Sequence, residues 1–524
     1  MQGDCDKNAR VFWKKKKESG EPMVRDYILK LQAGEDVRKN LIALKAEAKE
    51  YAGKHAILLA LNNQVDMFYG FLSDEDPKVR KNAALVLGQL GVQESLSHLY
   101  KAYEDENTMF VKSSYLTAMK ELDYRDYLPK LKERLEKLQT VEVDESNKKH
   151  ILEECKQLQE LVLMMEGGKK HKFCGWNTNS KIILLTNRNF REITADKIKS
   201  HRPKLFNAGV QAETTDLKEI MEVRTFSELL FRVDGLAIIK RDGNASLDEQ
   251  AKKVAKCLSD SSLVSYLEER HEGEAPFYFR IECKSKMDLK QKSTFTKKLG
   301  AYLQEFSQGK LINSTSHYEV ELRLIENNSG DFVFLLKLYT LADDRFAYRV
   351  EALPTSIAPV NAALTMELAK EYLREGAQVL DPFCGAGTML IERNRFLPTG
   401  DKYGVDIYGQ GIEAARINTK EAHVRANYIN RDFFDFKHEY LFDEIISNLP
   451  RVTGGKNAKE IETLYWSFWK KIPSHLKKDA KIILYCYDKE ILMNTLPRDK
   501  FEILEEFEIS KKEGSYVFVI RERK

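Results

Sequence analysis

Between about residues 51 and 138, apolar positions recur three and four residues apart, the period of a helix with one buried face. The segment LSDEDPKVRKNAALVLGQLG, residues 72 to 91, returns as YEDENTMFVKSSYLTAMKELD, residues 103 to 123, with Val79 on Val111, Leu87 on Met119 and Leu90 on Leu122. A period of about 32 residues predicts stacked helical repeats. The Asp76-Pro77 pair opens a helix, because the N–H that proline lacks is one the first turn leaves unused. Residues 1 to about 50 read as helical and highly charged. The run Lys14 to Lys17 is open to two readings, a solvated helix face or a contact to a phosphate backbone.

A further helix runs through Met165, and the stretch GGKKHKFCGWNTNS then reads as a linker with a domain boundary near 167 to 180. Beyond it the pattern changes. KIILLTNRNF (181 to 190), Leu229 to Val233, Gly235 to Ile239, FYFRIECKSK (277 to 286), HYEVELRLIE (317 to 326) and DFVFLLKLY (331 to 339) predict strands, with a helix at FTKKLGAYLQEF (295 to 306). From Gln378 onward, strands alternate with helices. They fall at Gln378 to Leu380, Tyr403 to Ile407, Tyr428 to Asp432, FDEIISNLPR (442 to 451), KIILYCYD (481 to 488), FEILEEFEI (501 to 509) and SYVFVIRE (515 to 522). Seven strands in such alternation predict a parallel, Rossmann-like α/β sheet. The chain is therefore expected to be multidomain, with an all-α region over 1–166, an α+β region over 181–345 and an α/β domain over 350–524.

Composition narrows the setting. A hydrophobic content of 43% with 31% charged residues describes a soluble globular chain with ample core. There is neither an apolar run of about 18 residues nor an apolar signal core, so a cytoplasmic protein without a membrane span is expected. The seven cysteines are scattered and never spaced as CxxC, which suggests neither a disulfide framework nor a metal site. A net charge of +3 is nearly balanced, so any basic surface must be local.

The chemistry gathers around DPFCGAGT, Asp381 to Thr388. It lies between the strand ending at Leu380 and a helix beginning near Met389. Pro382 fixes one backbone angle, Gly385 and Gly387 let a ligand approach the backbone, and the N–H groups of the helix start point into the crevice at the carboxyl ends of the strands. Asp406 closes the next strand about 20 residues on, where a Rossmann-like fold puts the carboxylate that meets ribose hydroxyls. Asp432 closes the third strand, suitably placed for an adenine amino group. Asn448, Leu449 and Pro450 close the fourth.

Three resemblances follow from these residues. Roughly residues 40 to 140 resemble a HEAT-repeat array, which implies either a protein or nucleic-acid contact or a cap on the neighbouring domain. The stretches Phe279 to Lys284, Leu299-Gly300 and Tyr318 to Leu322 resemble a THUMP module with its ferredoxin-like part, which implies an RNA substrate. Lys284, Lys286, Lys290, Lys292, Lys297 and Lys298 are candidate phosphate contacts there. From about residue 270 on, DPFCGAGT, GVDIYGQGIEAARIN, RDFFDF, ISNLP and SIAPVNAALTMELA (356 to 369) together resemble class I S-adenosylmethionine-dependent methyltransferases. More narrowly, they resemble THUMP-containing RNA guanine-N2 methyltransferases.

The resemblance implies that Asp381, Phe383, Cys384, Gly385, Gly387 and Thr388, with Ser356, surround the methionine half of S-adenosylmethionine. It puts Asp406 at the ribose and Asp432 at the adenine. Asn448, Leu449, Pro450 and Arg451 form the catalytic segment: the Asn448 oxygen and a carbonyl near Leu449 or Pro450 accept the two hydrogens of an exocyclic amino group and hold its lone pair toward the methyl. Relatives carry an aromatic residue directly after Asn-x-Pro; Arg451 stands there, and an arginine plane can also stack on a base. The Gly454-Gly455-Lys456 turn would form a lip over the pocket. Tyr465, Trp466, Phe468 and Trp469 read as a core helix face or as a base-stacking cluster. The expected partners are tRNA or ribosomal RNA, and a protein through the HEAT-like repeats. A non-catalytic RNA-binding scaffold and a DNA amino-methyltransferase are the alternative readings.

Overall fold

The structure, a computed structural model, describes residues 24–140, 145–166, 171–241, 245–452 and 457–523. The Lys14 to Lys17 run and the Gly454 to Lys456 turn lie outside them. The chain divides into two compact units, Met1–Lys169 and Lys170–Lys524.

The first unit is helical. Helix Pro77–Leu90 starts under Asp76, whose carboxylate accepts the Lys78 N–H, and ends at Gly91 in the left-handed region. It packs between helices Val37–Glu47 and Met109–Met119, and the latter lies against helix Glu145–Glu166. The repeat positions Val79, Leu87, Leu90, Val111, Met119 and Leu122 are all buried, as a single apolar face per helix requires. A Cβ on Gly88 would stand 2.5 Å from Ala118 Cα, so helices Pro77–Leu90 and Met109–Met119 touch backbone to backbone there.

The second unit holds two large sheets. The first has nine strands. Its spatial order is Lys204–Phe206, Gly209–Thr214, Ser180–Thr186, Phe226–Arg232, Phe332–Leu338, Val320–Glu326, Phe277–Lys284 and Leu311–Asn313, with Ile238–Ile239 pairing beside Phe332–Leu338. The strands of the α+β region thus form one continuous sheet. Helices Leu247–Ser259 and Leu289–Phe306 pack with it around Phe277, Phe279, Phe295, Leu299, Leu322 and Leu324. The longer helix starts at Leu289 rather than Phe295 because Asp288 and Gln291 form a capping box. Residues 171–180, whose composition reads as a linker, are folded: Lys172–Phe173 pairs with His271–Glu272, and Phe173 stands edge-on to Trp176.

The second sheet has seven strands: β1 (Val379–Asp381), β2 (Lys402–Asp406), β3 (Asn427–Asn430), β4 (Phe442–Asn448), β5 (Leu476–Cys486), β6 (Phe501–Ser510) and β7 (Ser515–Glu522). Their spatial order is β3-β2-β1-β4-β5-β7-β6. β1 to β5 run parallel, whereas β7 is antiparallel to both neighbours, which departs from the all-parallel expectation. Helices α1 (Pro359–Leu368), α2 (Thr388–Phe396) and α3 (Gly409–Glu421) pack on one face, and α4 (Ala458–Lys471) on the other. The strand order reverses between β1 and β4, and such a switch point opens a crevice at the carboxyl ends of the strands.

The two sheets are fastened to each other. Asn187 and Asn189 donate their side-chain amides to the carbonyls of Ile509 and Glu508 on β6, each at 2.8 Å. Lys197 pairs with Glu367 on α1 at 2.6 Å. No helix among the described residues is long and apolar enough to cross a membrane.

Candidate active site

Asp381 ends β1 and is buried. Its Oδ1 accepts the Phe383 N–H at 3.1 Å and the Ser447 hydroxyl at 2.6 Å, while Oδ2 has no partner. Burial pushes this carboxyl up to about 7, and the charge of Asp406 adds to the rise; the two hydrogen bonds act the other way. The chain then turns through Gly385 and Gly387, both left-handed, and Gly387 becomes the first cap of α2. A Cβ on Gly387 would lie 2.5 Å from the Tyr428 hydroxyl, so no larger residue fits. Thr388 follows with its hydroxyl buried and unpartnered. Cys384 faces the core beside Gly404, and burial holds its thiol well above the ordinary range, which disfavours the thiolate that a nucleophile needs.

Asp406, at the end of β2, binds this turn directly. Its Oδ2 accepts the Gly385 N–H at 2.8 Å and its Oδ1 the Tyr408 N–H at 2.9 Å. Next to it Ile407 is 71% exposed, an apolar surface bordering a carboxylate. The end of β3 is tied to the same place, since Arg431 N–H and the Asn430 amide both donate to the Asp406 carbonyl. Asp432 follows and caps a short turn through the Phe434 N–H. Ser356 closes a turn with Leu353, whose side chain lies 3.4 Å from where a Gly411 Cβ would stand. Asn418 bonds both Glu351 and the Ala386 carbonyl, which fastens this turn's segment to the glycine loop.

Asn448 ends β4, and its Oδ1 is buried without a partner. Leu449 N–H donates to the Tyr485 carbonyl at 2.9 Å, and the Tyr465 hydroxyl donates to the Pro450 carbonyl at 2.8 Å. The Pro450 oxygen is thus already engaged. The Arg451 guanidinium lies over the Tyr487 ring, 4.2 Å from its centroid, and Val452 N–H is held by Asp488 at 2.9 Å. Tyr465, Phe468 and Trp469 are core; Trp466 is half exposed.

The crevice therefore gathers Asp381, Phe383, Gly385, Gly387, Thr388, Asp406, Asp432 and Asn448 at the carboxyl ends of β1 to β4, and Arg451 at its continuation. Sequence reading did not single out Ser447, Tyr465 in its bonding role, or Tyr487. Ser447 directly precedes Asn448, and that adjacency was the one available signal. No group of three or more potential metal ligands occurs among the described residues.

Comparison with known proteins agrees with this architecture. Residues 347–513 match the family described as RMKL-like, methyltransferase domain, and residues 65–142 match HEAT repeats. A ribosomal protein L11 methyltransferase of Dictyoglomus turgidum is 28% identical over 184 residues, 34% of this chain and 56% of that protein. The one from Cupriavidus taiwanensis is 33% identical over 86 residues, 16% of this chain and 29% of that protein. The chain thus spans about half the length of the first of these relatives and under a third of the second. Among solved structures, TrmN from Thermus thermophilus superposes with a TM-score of 0.49 at 19% identity, covering 66% of this chain and 99% of TrmN. SMU.472 in complex with SAH gives 0.47 at 14% identity, with 65% and 97% covered. The C-terminal domain has the fold of S-adenosylmethionine-dependent methyltransferases. Its crevice suits that cofactor, with a glycine turn, a rim carboxylate at Asp406 and three unpartnered polar oxygens on Asp381, Thr388 and Asn448.

Proposed function

We propose that this chain is a cytoplasmic S-adenosylmethionine-dependent RNA methyltransferase acting on an exocyclic amino nitrogen, guanine N2 before others, in tRNA or ribosomal RNA. The observation that carries the reading is the unpartnered Oδ1 of Asn448 at the end of β4. An unpartnered buried amide oxygen costs about 1–3 kcal/mol, and a substrate N–H that meets it relieves that cost.

The cofactor supplies an electrophilic methyl on a positive sulfur. Asp381, Phe383, Cys384, Gly385, Gly387 and Thr388, with Ser356, are assigned to its methionine half, Asp406 to the ribose and Asp432 to the adenine. An amino group on a base is a weak nucleophile because its lone pair is shared with the ring. Asn448 Oδ1 accepts one hydrogen and the Leu449 carbonyl the other, the Pro450 carbonyl being held by Tyr465. Two acceptors in fixed positions orient the lone pair and stabilise the positive charge that grows on nitrogen. Neither is basic enough to keep a proton, so the one released after carbon–nitrogen bond formation goes to solvent.

Arg451 stands where relatives carry an aromatic residue. One face of its guanidinium rests on Tyr487, which supports a role for the other face as the platform for the target base. RNA as substrate is supported by the THUMP-like stretches of the nine-stranded sheet and by exposed Lys284, Lys286, Lys290 and Lys297; Lys298 is paired with Asp248 and contributes less. We assign 1–166 to a protein contact, 181–345 to RNA binding and 350–524 to transfer.

The curated relatives are named for a ribosomal protein, which favours a second reading in which the acceptor is a protein amine. Calorimetric titration with S-adenosylmethionine, followed by label transfer to total RNA and to ribosomal protein, tests both. Label released by nuclease supports the RNA reading. Label released only by protease replaces it with the second, and absence of cofactor binding overturns both.

A further inference from the structure

Away from the crevice, at the opposite ends of β2 and β3, lies a cleft of about 610 Å³ between the loop 399–402, the second half of α3 and the loop 424–427. Four cationic side chains line it, Lys402, Arg416, Lys420 and Arg425, against a single carboxylate, Asp401. Arg416 is neutralised in part by Glu413 at 2.8 Å. Lys420 and Arg425 are exposed and have no ion pair among the described residues.

Lys402 is the telling member. It is only 6% exposed, and its ammonium donates to the Gly400 carbonyl at 2.8 Å. Glu444, one strand beyond Val379, is engaged by Arg393 through contacts of 2.7 and 2.9 Å and by the Arg374 N–H at 2.9 Å. Burial lowers the pKa of Lys402, the charge of Asp401 acts the other way, and Arg393 adds repulsion. Lys402 makes no ion pair within contact distance among the described residues, Asp401 acting only through its charge, and a buried cation so placed is costly unless an anion completes it. Nothing in the transfer chemistry uses these residues.

We infer that this cleft is an anion site that takes a phosphate group, with Lys402 at its floor and Lys420 and Arg425 at its mouth. Two sources share that chemistry: a backbone phosphate of a bound RNA strand, and a free phosphate compound. Tyr428 links the site to the cofactor turn, since it lines the cleft while its hydroxyl bonds Thr419 at 2.7 Å beneath Gly387. The inference stands on the cleft itself and does not depend on the RNA reading.

The test compares the full chain with the surface variant Lys420→Gln/Arg425→Gln and, separately, with Lys402→Met. Thermal midpoints are recorded in sodium phosphate and in sodium chloride of equal ionic strength. Phosphate stabilises many proteins by exclusion from their surface, so the readout is the difference between the chain and its variants. A phosphate-specific rise that both variants lose supports a free phosphate compound. RNA affinity is measured in parallel against salt. A slope of log affinity against log salt that becomes shallower by about two in the double variant supports the strand. If neither quantity changes in the double variant, whose residues are exposed and leave the core intact, the site does not exist. If no RNA binds the unmodified chain, the RNA reading fails, while the phosphate arm still decides this one.

Discussion

Arg224 Nη2 lies 2.6 Å from Glu392 Oε1, and Glu392, on the helix that follows the glycine turn, is completely buried. The same carboxylate accepts the Tyr348 hydroxyl at 2.6 Å, and the Arg224 guanidinium also stacks 4.5 Å over Phe346. A residue of the nine-stranded region thus grips the helix whose N-terminus shapes the cofactor crevice. Arg224→Met leaves Glu392 charged, buried and served only by a phenol. The expected loss of stability is about 3–5 kcal/mol, since removing one partner of a buried pair strands the other. Denaturant unfolding measures it, and an unchanged midpoint would show that the grip carries no weight.

On the proposed mechanism, Asn448→Ala removes an acceptor that matters only when the amino group reacts. Transfer is expected to fall at least about a hundredfold, with affinity for S-adenosylmethionine retained. Asp406→Ala acts on the other step: two backbone N–H groups lose their acceptor and, on the proposed assignment, so does the ribose, so cofactor affinity should weaken about ten- to a hundredfold. Calorimetry and single-turnover transfer separate the two. If Asn448→Ala turns over normally, the amide has no part in the reaction.

Tyr487→Ala removes the ring beneath Arg451. With its support gone the guanidinium is free to swing, and the proposed RNA substrate should be held less well. A cation over an aromatic face is worth about 0.5–2 kcal/mol, so kcat/KM for RNA is expected to drop up to about thirtyfold. Cofactor affinity should stay the same. Tyr487→Phe should recover the loss; if it does not, the hydroxyl rather than the ring is what counts.

Acid will act on the methyltransferase domain through His475. This ring is 3% exposed, has neither nitrogen partnered and packs among Phe433, Phe436 and Phe442. Burial, aided by the charge of Lys471, pulls its pKa down to about 4. The unfolded chain binds a proton near pH 6.5, so this histidine's contribution to stability is complete above that pH and is lost as pH falls toward 4. Asp381 works in the opposite sense over the same window. Its folded pKa is raised to about 7, so its contribution is complete below about pH 4 and is lost as pH rises through 7. Unfolding from pH 7.5 to 4.5 should therefore show a shallower acid loss in His475→Phe and a steeper one in Asp381→Asn than in the unmodified chain. Identical slopes for all three would contradict both assignments.

Much of this architecture is legible in the residues, for identifiable reasons. The 32-residue repeat shows because Val79, Leu87 and their counterparts must all face one core, and the strands of the methyltransferase sheet show because each is a short apolar run between polar turns. The motif around Asp381 shows because its glycines answer a local steric demand. Relationships across the chain do not show. Arg451 and Tyr487 meet only because β4 and β5 end side by side, and Ser447 reaches Asp381 only because β1 lies next to β4. The early start of the helix at Leu289 depends on one capping pair, Asp288 with Gln291. The antiparallel β7 leaves no mark in its own sequence, since a buried strand reads the same in either direction.

The side-chain amides of Asn187 and Asn189 bear on how the chain behaves in a crowd. β6 is the last strand of its sheet, and an open strand edge is a template on which another molecule can add a strand of its own. By occupying the carbonyls of Glu508 and Ile509, the two asparagines close part of that template from within the same chain. A contact between the two sheets therefore also takes up backbone acceptors on the last strand.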